Sequence, residues 1–68
     1  MTVAAKVKQT IATLHGIKST LEIYAAQCQD EEAASVYKEG SLVVNEAAND
    51  LGERLKTLEF EEPEYRGL

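Results

Sequence analysis

The sequence predicts an all-α protein: two long helices folded into an antiparallel two-helix hairpin that dimerises into a four-helix bundle. Three observations carry this. Apolar and small residues recur at alternating spacings of three and four through both halves of the chain. One polar interruption between the halves holds a helix-start signal, and the only proline lies near the C-terminal end, where it stops the second helix.

In the first half the recurring residues are Ala4, Val7, Ile11, Leu14, Leu21, Ala25 and Cys28, with a break at Lys18, where Ile17 supplies an apolar neighbour. Such spacing keeps one face of a helix apolar along its whole length, as in a coiled-coil seam. Thr2 is suited to cap the first turn, because its hydroxyl can accept from a backbone N–H that has no helical partner. Helix 1 is expected over about residues 3–28.

The segment from Gln27 to Glu32 is polar throughout. Asp30 is a good N-cap, and Glu31 and Glu32 then meet the positive end of the helix dipole, a contribution of about 0.3–1 kcal/mol each. Two helices are therefore favoured over one. The second seam is Ala34, Tyr37, Ser41, Val44, Ala48, Leu51, Leu55 and Leu58, with Val36, Leu42, Val43 and Ala47 widening the apolar face toward one side. Pro63 can neither continue a helix nor leave its predecessor helical, so helix 2 is expected over about residues 31–60 and an extended tail over 61–68.

At 1.5 Å per residue each helix spans roughly 40 Å, and the short connection makes the two antiparallel neighbours. A 68-residue chain is one small domain, and its single Cys excludes an internal disulfide. Chains of this size seldom bury enough surface to offset the conformational entropy lost on folding unless something is added. Apolar residues on both sides of the seam suit a helix with two neighbours rather than one. Together these point to a homodimer, with Val7, Ile11, Leu14, Leu21, Tyr37, Val44, Leu51, Leu55 and Leu58 as the core and interface positions.

With 44% hydrophobic and 28% charged residues the chain is foldable, and no apolar run approaches the length of about 18 residues that a membrane span needs. Its start lacks the features of a secretory signal, and a lone thiol suits a reducing compartment, so a cytoplasmic location is expected. The net charge is -5 and uneven: Lys6, Lys8 and Lys18 against Glu22 give residues 1–29 a charge of +2, and residues 30–68 carry -7. An acidic chain without a basic stripe is a poor partner for duplex nucleic acid.

No set of residues assembles into catalytic machinery, so a non-enzyme without cofactor or metal is expected. His15 has no second His and reads as a surface or bundle-edge residue, because a di-metal bundle wants paired Glu-x-x-His motifs. Cys28 has no Cys-x-x-Cys partner and continues the seam, so it reads as a small packing residue. Gly16, Gly40 and Gly52 cost about 0.8–1 kcal/mol each relative to Ala inside helices, which close helix approach would compensate. Glu59, Glu61, Glu62 and Glu64 cluster where the dipole disfavours them and read as solvated, with Tyr65 and Leu68 as candidate anchors of a docking tail.

The segments TVAAKVKQTIATLHGIKSTLE, AAQCQDEEAASVYKE and LEFEEPEYRGL, in this order, resemble a family of short proteins of endospore-forming bacteria classed as domain of unknown function 1657. Arg66 stands where the family's ending has Lys. The resemblance implies a bacterial, sporulation-associated protein, often encoded near the spore channel proteins that move dipicolinic acid, and it implies no known activity. The expectation is thus a homodimeric bundle acting through protein contacts in spore formation or in the properties of the spore. An alternative is an adaptor hairpin that packs on a larger partner, such as a membrane protein of the spore. A carrier using the bundle interior would need polar groups in the seam, where only Lys18, Tyr37 and Ser41 stand.

Overall fold

A computed structural model describes residues 3–61, and two helices account for nearly all of them: α1, Val3–Gln27, and α2, Glu31–Glu61. Thr2, Pro63 and the candidate anchors Tyr65 and Leu68 lie outside the described residues. The two helices pack against each other as a hairpin with extents of 48 × 17 × 10 Å.

The turn follows from its residues. The N–H of Cys28 still donates to the Tyr24 carbonyl at 2.9 Å, one residue beyond the end of α1. The Asp30 carbonyl accepts the first bond of α2 from Ala34 at 2.9 Å, and Asp30 Oδ1 accepts from the Glu32 N–H at 3.0 Å. That is the N-cap arrangement, with Glu31 and Glu32 in the first turn, where their charge meets the helix dipole. Within the helices Thr10, Thr13 and Thr20 each donate a hydroxyl proton to the carbonyl four residues earlier at 3.0 Å. These β-branched polar residues are thereby accommodated without leaving the helix.

Small residues mark the line where the helices meet. Ala4, Ser41 and Ala48 are buried, at 0%, 3% and 3% exposure. Ser41 is the polar member of this set, and its hydroxyl is satisfied by donating to the Lys38 carbonyl at 2.7 Å. Among the described residues no large side chain is fully buried. One neighbouring helix covers a small side chain on the line of contact, whereas a leucine reaches past that line and keeps a flank in the open.

The glycines divide. A Cβ added at Gly40 would lie 3.5 Å from Leu21 Cδ1, so this glycine does face α1, at ordinary contact distance. At Gly16 and Gly52 an added Cβ would meet nothing within 4 Å, so close approach of the two helices does not explain them. Gly16→Ala should therefore raise stability by about 0.8–1 kcal/mol through helix propensity alone. A thermal melt checks this: a rise of roughly 4–8 °C is expected for a domain of this size, and a fall would mean that another surface covers Gly16.

Candidate docking face

With 3.6 residues per turn, the seam places Ala4, Ile11, Lys18 and Ala25 of α1 at the a positions of a heptad and Val7, Leu14, Leu21 and Cys28 at d. In α2 Ala34, Ser41, Ala48 and Leu55 stand at a, and Tyr37, Val44, Leu51 and Leu58 at d. The hairpin then has two unlike edges. Along the a and e side run Lys8, His15, Lys18, Glu22, Lys38, Asn45 and Glu59. At the d and g positions of both helices the charged residues are Arg54 and, at the last residue of α2, Glu61.

Contacts across the hairpin confirm which positions share a side. Val3, Lys6, Val7 and Thr10 line a shallow groove of about 160 Å³ with Leu51. Gly40 faces Leu21, and the rings of Tyr24 and Tyr37 meet edge to face at 5.6 Å between centroids. Leu42 instead joins Glu22, Ala25, Lys38 and Ser41 around a groove of about 260 Å³ on the polar side. The expectation that Leu42 widens the same flank as Val36 and Val43 is thus corrected: one residue further on is a turn of about 100°, and Leu42 and Val43 point apart.

The apolar side is conspicuously open. Val3, Ile17, Tyr24, Val36, Tyr37 and Val43 are 46%, 44%, 49%, 66%, 36% and 60% exposed. Of the residues expected at the core, Val7, Ile11, Leu14, Leu21, Val44, Leu51, Leu55 and Leu58 are half-buried along the seam, while Tyr37 is exposed beside Tyr24. Val3 and Tyr24 had not been expected on this face. Their signal is an exact spacing of seven, Val3, Thr10, Ile17 and Tyr24, which puts all four at g.

The residues considered for chemistry are not brought together. His15 is exposed midway along α1, and Cys28, roughly 20 Å further along the helix, is half-buried at the turn, its thiol 3.5 Å from the Asp30 carbonyl. Among the described residues no three His, Cys, Asp or Glu side chains group as a metal site would require. Glu59, expected to be solvated, is answered across the hairpin by Lys8, Nζ to Oε2 3.8 Å, which ties the start of α1 to the end of α2. On α2 itself Arg54 pairs with Asp50 at 3.2 Å and Lys56 with Glu53 at 3.4 Å.

The sequence over residues 7–55 matches the family described as protein of unknown function (DUF1657). The chain belongs to that family. The matched span holds the turn, the tyrosine pair and all but the outer ends of both helices. No curated protein and no solved structure gives a match. No helix among the described residues is long and apolar enough to cross a membrane.

The Lys8 to Glu59 pair joins the ends of this DUF1657 hairpin but is partly exposed, at 40% and 27%, so its contribution should be modest. Lys8→Ala is expected to cost at most about 1 kcal/mol, with the difference from the parent shrinking as salt is added. Denaturant titrations at low and high ionic strength check this. A larger, salt-independent loss would mean that the Lys8 stem, rather than its charge, holds the ends together.

Proposed function

We propose that this chain is a non-enzymatic helical protein that homodimerises into a four-helix bundle and acts through protein–protein contacts. The observation that carries the reading is the core: among the described residues only the small side chains Ala4, Ser41 and Ala48 are buried, while a row of large apolar side chains stays open on one side. Small residues on a single contact line supply too little apolar burial to offset the ordering of two long helices. A second layer is the usual remedy, since domains form from packed layers around a shared core.

The spore is the proposed setting, in the cytoplasm of a bacterial cell or of the developing spore, and this part rests on the family resemblance. It is tested by following a fluorescent fusion through growth and sporulation. Accumulation confined to sporulating cells is expected, and equal abundance in vegetative cells would contradict the assignment.

Sedimentation equilibrium of the purified chain tests the assembly. A mass of twice the 7.5 kDa chain is expected. A weakly helical monomer that gains helix only on a larger protein would replace this reading with the adaptor one. Leu14→Asp and Leu51→Asp should each abolish helicity and dimerisation together, because a carboxylate at a bundle core costs several kcal/mol whether it ionises or stays protonated. Retention of the parent's circular dichroism melt by either variant would overturn the core assignment.

A further inference from the structure

We infer that the d and g side of the hairpin is the dimer face, and that the partner copy lies on it with both turns at the same end, each α1 seated over the partner's α2. This rests on the dimer reading above and adds the face and the arrangement. The face measures about 48 by 17 Å, of the order of 800 Å² per copy, which is the area one side of a stable protein interface commonly buries. A second copy matches it in length and in apolar character, and its Arg54 is already paired with Asp50.

Two symmetric arrangements lay this face on its own copy. With the turns at opposite ends, α1 lies on the partner's α1 and α2 on the partner's α2. With the turns at the same end, each α1 lies on an α2. Charge separates them. α1 carries Lys6, Lys8 and Lys18 against Glu22, a net +2, whereas α2 carries eight carboxylates against Lys38, Arg54 and Lys56, a net -5. Pairing like with like sets two strongly acidic helices side by side, and pairing α1 with α2 sets opposite signs together.

Side-chain size favours the same choice. The g positions of α1 hold Val3, Thr10, Ile17 and Tyr24, and those of α2 hold Ala33, Gly40 and Ala47 before Arg54. Within one hairpin Tyr24 is level with Tyr37 and Leu21 with Gly40, so in the same-end arrangement the partner's α1 brings its tyrosine and isoleucine opposite the Ala33 to Ala47 stretch. Large side chains then meet small ones, as close packing requires. The opposite arrangement would set the Gly and Ala stretch, in the turn half of α2, against the Arg54 end of the partner's α2 and draw the two acidic helices closest together.

The single cysteine, beside the turn, makes the arrangement measurable in the unaltered chain. With a nitroxide label on Cys28, double electron–electron resonance in the dimer should give a distance well under half the 48 Å length of the hairpin. A distance approaching that length would overturn the arrangement while leaving the dimer standing. A solution mass of one chain would instead remove the dimer reading itself. The face is tested by Ile17→Asp, expected to weaken self-association roughly a hundredfold or more, against Leu42→Asp on the polar side, expected to leave it within a few-fold of the parent. If Leu42→Asp dissociated the dimer and Ile17→Asp did not, the face would be wrong. Should I17D fail to form helix at any concentration, Tyr24→Ser, at an exposed position near the turn, provides the same comparison with less disturbance.

Discussion

Two helices lying side by side make one layer, and a layer one helix thick has no interior. The rest of this structure follows from that constraint. The hairpin is 10 Å across its thinnest extent, so every side chain is within reach of solvent on at least one flank unless it is small enough to sit between the helix backbones. Ala4, Ser41 and Ala48 meet that condition, and the leucines and valines of the seam do not. Helix propensity, the Asp30 cap and the Lys8 to Glu59 pair shape the hairpin, but each contributes on the order of 1 kcal/mol, well short of the conformational entropy that ordering two helices costs.

The way the remaining side chains are sorted then becomes informative. Exposed apolar residues gather mainly on one flank of the seam and charged residues mainly on the other, with Leu42 and Lys6 as exceptions, so the hairpin as a whole is amphipathic, much as a single surface helix is. The sign of the charge is sorted differently, by helix, with a basic α1 and an acidic α2. The first sorting leaves one apolar face open, and in the proposed dimer the second distinguishes the ways of covering it. An anionic lipid surface suits neither, because the apolar flank is bordered by the acidic helix and the chain carries -5 in total.

The features legible in the sequence were those set by neighbours along the chain. The start of α2 was readable because Asp30, Glu31 and Glu32 act within one turn of one another, and the seam because its period survives in every seven residues. Features that depend on how the two helices are set against each other were not. Lys8 and Glu59 are far apart in sequence, and only the register of the hairpin makes them a pair. Leu42 and Val43 look equivalent as neighbouring apolar residues, yet a helix points them to opposite flanks. The exposure of Tyr37 and the half-burial of Leu51 and Leu58 were hidden for another reason: periodicity says which side chains face the seam, not how much of each a single neighbour can cover.

The central claim is that this hairpin owes its order to a second layer of the same kind. Circular dichroism melts over a wide dilution series test it most directly, since a fold that exists only as an assembly must lose stability as its concentration falls. The account predicts a melting temperature that drops steadily with dilution, with helicity and assembly lost together. A melting temperature independent of concentration, in a chain that stays fully helical and sediments as a single copy, would contradict it.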